Sequence, residues 1–178
     1  MSHCTVYLDS GLLFDLTGIN EQDRQAAYEE FIVGLSQKKA SLRVFRHTYE
    51  EFVNIIEASL QWIGNSQYDA WRASRATAFF VDHNYSYSDV EQFILRIDSS
   101  LAQLNVEVVD APAPQIDEIY QIDEIKLTSQ IVELYKERNS NFDEYDKVYT
   151  IQRDVKSIAA FLIESRCALV AAAFILSF

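Results

Sequence analysis

The sequence predicts an α/β fold in which a largely parallel sheet of about four strands is flanked by helices. Three observations carry this. Short apolar, strand-like runs alternate with longer stretches of helical periodicity. Two of those runs, Thr5-Val6-Tyr7-Leu8-Asp9 and Val106-Glu107-Val108-Val109-Asp110, end in an acid. Only 4 Gly and 2 Pro occur in 178 residues, which disfavours an all-β chain with many tight turns and favours long helices.

The elements follow in order. Cys4–Asp9 reads as a buried strand that turns at once, through Ser10-Gly11-Leu12-Leu13, into a helix or loop. A helix is expected from Glu21 to Lys39, capped by Asn20, with Ala26, Ala27, Phe31, Ile32 and Leu35 at helical spacing. Leu42–Phe45 is the second strand. Thr48 then caps a helix to Trp62, broken by Gly64-Asn65-Ser66. Another helical segment covers Tyr68–Val81. Ser88-Asp89-Val90-Glu91 has capping-box spacing and opens a helix to Leu104. The helices between strands two and three thus form an enlarged excursion. Val106–Asp110 is the third strand, and Pro112 and Pro114 mark the loop after it.

A near-repeat, Gln115–Ile119 and Gln121–Ile125, is read as loop and helix start, because two copies do not make a solenoid. A helix runs on to Arg138. Asn139-Ser140-Asn141 separates it from a last helix, Tyr145–Ser165, and Cys167–Ile175 is the fourth strand. No low-complexity linker divides the chain, so residues 1–178 read as one domain.

The chain is 49% hydrophobic and carries a net charge of -12, which argues against broad electrostatic binding of nucleic acid. A nuclease remains open, since clustered acids bind divalent ions that neutralise part of the charge. The charge equally fits a basic protein partner. Cys4 and Cys167 match no zinc spacing and read as buried free thiols in a reducing, cytoplasmic setting. No signal peptide is visible. The apolar stretch from Cys167 to Phe178 is shorter than the roughly 20 residues a membrane span needs. The aromatic and apolar excess is compatible with a homo-oligomer.

Metal-assisted hydrolysis of a phosphodiester needs converging carboxylates. The candidates are Asp9, Glu50 or Glu51, Asp110, Asp143, Asp146 and Asp154. Asp9 sits at a strand's carboxyl end, where ligands bind in open α/β sheets; it is equally a helix N-cap. Glu50 and Glu51 open the helix after strand two. The expected stripe of Tyr49, Phe52, Val53, Ile56 and Leu60 puts Glu50 nearer its flank than Glu51. Asp154 lies roughly 85° from the stripe of Val148, Ile151, Val155, Ile158, Ala159 and Leu162, the border of core and solvent. Asp143 shares that face if the helix reaches back so far, or caps it. Asp146 falls on the solvated side.

Val6-Tyr7-Leu8-Asp9-Ser10-Gly11-Leu12-Leu13 resembles the opening strand of PIN-domain nucleases. Thr48-Tyr49-Glu50-Glu51-Phe52 resembles their second motif, and Asp154-Val155-Lys156-Ser157-Ile158-Ala159-Ala160 their third. The resemblance spans nearly the whole chain. It implies a three-layer fold and a metal-dependent ribonuclease site. Asp9, Glu51 (or Glu50) and Asp154 would be the catalytic acids and hold Mg²⁺ or Mn²⁺, with Asp143 or Asp146 the acids open to recruitment as a further ligand. A metal-activated water would attack an RNA phosphate in line. Ser10 would support the first acid, and Arg46, His47 and Arg153 would meet phosphate oxygens. The implied roles are RNA turnover, a toxin of a toxin–antitoxin pair, or defence against phage.

The sequence departs from the family where a further acid is expected: the last strand reads Ala168-Leu169-Val170-Ala171-Ala172-Ala173-Phe174. The chain ends at Phe178, where another strand would be expected. A catalytically impaired PIN-like interaction module, or a fragment of a longer protein, is therefore the alternative. A third reading is an unrelated helix-rich α/β binding protein whose acids are caps and surface charges.

Overall fold

The computed structural model describes residues 4–20, 22–112, 123–138, 142–143, 147–167 and 172–175. The described elements are β1 (Thr5–Leu8), α1 (Ser10–Leu16), α2 (Gln22–Gln37), β2 (Ser41–Phe45), α3 (Arg46–Ser59), α4 (Arg75–Asp82), α5 (Tyr87–Gln103), β3 (Val106–Val109), α6 (Glu124–Arg138), α7 (Val148–Cys167) and β4 (Ala172–Ile175). A single 3-10 turn, Leu60–Trp62, extends α3. The strands form one sheet in the order β3-β2-β1-β4, with every pairing parallel. Parallel neighbours need crossovers, and helices supply each one.

The strand order sets the site. The chain steps from β1 to β2 to β3 in one direction, then crosses back to place β4 on the other side of β1. The direction of winding therefore reverses beside β1. In open parallel sheets the crevice at such a switch lies at the carboxyl ends of the strands. Asp9 is the first residue after β1.

Side-chain alternation divides the sheet into two faces. Val6, Leu8, Leu42 and Val44 point into a core shared with Leu12, Leu13, Phe52, Ile56, Phe80, Ile97 and Leu101 of α1, α3, α4 and α5. Tyr7 and Phe45 point the other way and meet Ala160 and Phe161 of α7. Their rings stack on each other at 4.5 Å, and Phe161 meets Tyr7 edge-on at 6.0 Å. A smaller cluster, Ile131, Val132, Ile151 and Val155, joins α6 to α7.

The structure moves several expected boundaries. Thr48 does not cap α3: the helix starts at Arg46, directly after β2, and Thr48 is buried inside its first turn. Phe45 takes the cap position without a side-chain cap bond, its ring held between Tyr7 and His47. Packing fixes this strand-to-helix turn, so it needs no polar cap. Asn20 turns back to donate to Asp15 at 2.6 Å instead of capping α2. On α2 only Ile32 of the expected stripe is fully buried; Ala26, Ala27 and Phe31 are exposed. The segment read as a helix from Tyr68 begins only at Arg75, where Ser74 accepts from the Thr77 amide.

Ser86 with Asp89, not Ser88 with Glu91, forms the capping box of α5. Cys167 closes α7 rather than opening a strand. The expected helix start at Tyr145, Asp146, Pro114 and most of the near-repeat lie outside the described residues.

Candidate functional site

Three of the expected acids stand on three different elements, the β1–α1 turn, α3 and α7. Asp9 ends the β1 turn and caps α1, its Oδ1 accepting from the Ser10 amide at 2.7 Å. Cap and site are thus one arrangement: capping fixes the carboxylate just beyond the sheet edge. Ser10 is buried beneath it, its hydroxyl 3.5 Å from the same oxygen.

The second acid is Glu51, on α3. The buried face of this helix is Thr48, Phe52, Ile56 and Ser59, displaced from the expected stripe. Helical geometry puts Glu51 about 95° from the centre of that face and Glu50 about 165° away. Glu50 is accordingly exposed, while the Glu51 side chain keeps 25% of its surface. The flank expected of Glu50 belongs to Glu51. α3 is covered by α1, α4 and α5 together, and its buried face is the one turned to them.

The third acid, Asp154, sits on α7 at the border of core and solvent, with 18% of its side chain exposed. Tyr135 of α6 donates to its Oδ2 at 2.8 Å. Arg153 donates to its Oδ1 through Nε at 3.1 Å and Nη2 at 3.0 Å. The remaining Nη1 of Arg153 donates to Glu51 Oε1. One guanidinium therefore joins two of the three acids and ties α3 to α7. The other oxygen of Glu51, Oε2, is buried without a hydrogen-bond partner.

Electrostatics agree with this convergence. Burial raises Glu51 above its ordinary value; Asp9 and Asp154 push it further up, and Arg153 only partly offsets them. Burial would lower Arg153, but Asp154 and Glu51 raise it overall. Tyr135 is pushed up to about 12 by burial and by its bond to Asp154, so it stays a proton donor. Both Glu51 and Tyr135 feel Asp9, which places the carboxylate after β1 in the same field.

The other expected residues divide. Arg46 and Asp110 pair with each other across the ends of β2 and β3, and both side chains are mostly exposed. Asp143 is exposed, beside Phe142, whose ring stacks on Tyr135 at 5.7 Å. Asp146 lies outside the described residues. His47 stacks on Phe45 and bonds Ser157 at 2.9 Å, linking the start of α3 to α7 one turn beyond Arg153. Burial, then Lys156 and Arg153, lower its pKa, so it is neutral at pH 7.

Tyr135 and Ser157 had no sequence signal as site residues. Tyr135 reads as one more aromatic on an apolar helix stripe, and Ser157 as a small residue of α7.

As arranged, no group of three or more His, Cys, Asp or Glu among the described residues is set to hold a metal ion. The cation between Glu51 and Asp154 is the Arg153 guanidinium. The donor set nevertheless suits a hard divalent ion: carboxylate oxygens from three elements, one of them buried and unpartnered. β4 adds only Ala172, Ala173, Phe174 and Ile175, so no acid comes from that strand. No helix among the described residues is long and apolar enough to cross a membrane.

No family model matches the chain, and neither a curated protein nor a solved structure matches it.

Proposed function

We propose that the chain is a PIN-like, divalent-metal-dependent ribonuclease, with Asp9, Glu51 and Asp154 as its acidic site. The observation that carries this is that Arg153 joins Glu51 and Asp154 while Glu51 also feels Asp9, with Glu51 Oε2 buried and unpartnered. A buried carboxylate oxygen without a donor is costly unless a ligand completes it. Mg²⁺ or Mn²⁺, when bound, would neutralise the phosphodiester and activate the attacking water.

The chain's own residues do the rest. Ser10 fixes Asp9, and Tyr135 fixes Asp154. Arg153 lies where it can leave Glu51 and take a phosphate oxygen, since guanidinium suits both oxyanions. His47, neutral and bonded to Ser157, holds α3 and α7 in register. Asp143 and Glu50 would serve only at the rim. RNA turnover, toxin activity or phage defence are the roles such a nuclease would fill.

The test is cleavage of labelled single-stranded RNA with Mn²⁺ and its suppression by EDTA. Glu51→Gln should lower the rate by more than the roughly 10–100-fold that losing a supporting partner costs. RNA left intact at all Mn²⁺ concentrations sinks the enzymatic reading. It would favour the second one, a PIN-like interaction module. The supporting observation there is Arg153, which already neutralises Glu51 and Asp154 without an ion.

A further inference from the structure

We propose that the outer face of α2 is a self-association surface, on which two copies of this chain pair their α2 helices antiparallel, crossing at Gly34. The proposal stands apart from the nuclease reading. α2 lies against α1 and turns Ile32, with Tyr28 and Leu35, toward the main core. A surface helix normally shows water a polar face. α2 does not: Ala26, Ala27, Phe31, Val33 and Gly34 are all exposed, Phe31 by 42% and Val33 by 48%.

Gly34 has no reason within the fold. Gly18 and Gly64 take φ of +78° and +70°, which glycine adopts without strain. Gly34 sits in the interior of α2 with no positive φ, and a side chain placed there would meet nothing within 4 Å. Glycine weakens a helix relative to alanine. A bare backbone on an exposed apolar face suits close approach by a second helix.

Charge decides what that helix is. Seven uncharged residues, Phe31–Gln37, separate Glu30 from Lys38. Both of these are exposed. Glu30, Phe31, Gly34 and Lys38 fall within about 100° of the helix circumference, and Gly34 stands about 160° from Ile32. The face therefore carries an acid before its apolar centre and a base after it. Arg24 is taken by Asp15 at 2.9 Å, and Glu29 accepts from Gln25 at 3.0 Å. By sequence, Glu21 and Asp23 extend the negative end and Lys39 the positive one.

A two-fold axis at Gly34 sets each Glu30 opposite Lys38 of the second copy, about 6 Å along the helix from the crossing. The face is thus complementary to itself, as an isologous contact requires. A parallel pairing would oppose like charges. A contact made by one helix pair belongs with the small, transient interfaces of under about 1,200 Å², so dissociation at micromolar concentration is expected.

Sedimentation velocity of the full chain from about 1 to about 200 µM tests this. The mass should double with concentration at low salt. The dimer should weaken as salt rises, because its charge pairs are exposed. Gly34→Leu should leave a monomer at every concentration. It fills the crossing while favouring the helix, so circular dichroism should show the fold intact. Phe31→Glu should also leave a monomer. Glu30→Lys and Lys38→Glu should each weaken the dimer at least about 5-fold by opposing like charges. An equimolar mixture of those two variants should pair as well as the natural chain, because every opposed pair again has opposite signs. Damage to the fold could not be rescued by mixing.

A monomer throughout, whether or not it binds vesicles of anionic lipid, overturns the inference. So does a dimer that survives both Gly34→Leu and Phe31→Glu, or a mixture no tighter than either charge variant alone. None of these outcomes bears on metal-dependent cleavage.

Discussion

The two faces of the sheet are closed in different ways. On one, a continuous core runs from α1 through α3 to α5, with Leu13, Val44, Phe52, Ile56, Phe80 and Val90 all fully buried. On the other, α7 rests on Tyr7 and Phe45 through Ala160 and Phe161, and α6 is held to α7 by a separate small cluster. Polar bonds supplement packing on that second face: Arg153 to Glu51, His47 to Ser157 and Tyr135 to Asp154. The candidate site lies along this seam. Apolar packing on the first face holds Asp9 and Glu51, while the second face brings Asp154 and Arg153 to them. Such a division lets the acids sit beside solvent without opening the main core.

Truncations measure the contrast. Phe52→Ala removes a fully buried ring packed edge-on against Phe14 at 4.8 Å. It should cost about 3–5 kcal/mol in urea unfolding. Ile151→Ala, in the smaller α6–α7 cluster, should cost about 2 kcal/mol, the low end for such a change. Equal losses would mean that the second face is packed as firmly as the first.

Arg153→Gln tests the seam itself. In EDTA it should destabilise by about 1–3 kcal/mol, because Glu51 and Asp154 lose their shared donor. Mn²⁺ should restore much of that loss in thermal melts. A variant equally unstable with and without Mn²⁺ would argue against metal binding by these acids. Ser86→Ala, far from the seam, breaks the capping box of α5 and should cost about 1 kcal/mol with no response to Mn²⁺.

The smallest effects are in pH. His47 has its pKa lowered in the fold, so the unfolded chain binds the proton more readily below the ordinary value of 6.5. Its contribution is therefore intact above that pH and is lost as pH falls through it. Glu51 works in the opposite sense. Its raised pKa makes the folded state bind the proton more readily above 4.5, so stability falls as pH climbs from there. The difference in unfolding free energy between the natural chain and Glu51→Gln should follow that slope, and His47→Gln should remove the other. Parallel pH profiles for all three proteins would show that neither group is coupled to folding.

The acids show where sequence reasoning reaches its limit. Asp9 was legible because an apolar run ending in an acid locates a strand's carboxyl end. Asp154 was legible because its angle from the α7 stripe depends on one helix alone. Choosing between Glu50 and Glu51 was not, since the buried face of α3 depends on what covers it. Arg46 shows the same limit: its partner, Asp110, is 64 residues away. The start of α3 was missed because an aromatic stack, rather than a polar cap, ends β2.

The sequence by itself determined the alternation of strands and helices, the parallel sheet and the acids at two strand ends. These follow from periodicity and local chemistry, which act over one or two turns of chain. Only the tertiary structure decided that β4 returns beside β1, that α3 turns Glu51 inward, and that Arg153 and Tyr135 meet the acids. Each of those depends on contacts between segments distant in sequence, and no local pattern encodes which distant side chain fills the space beside another.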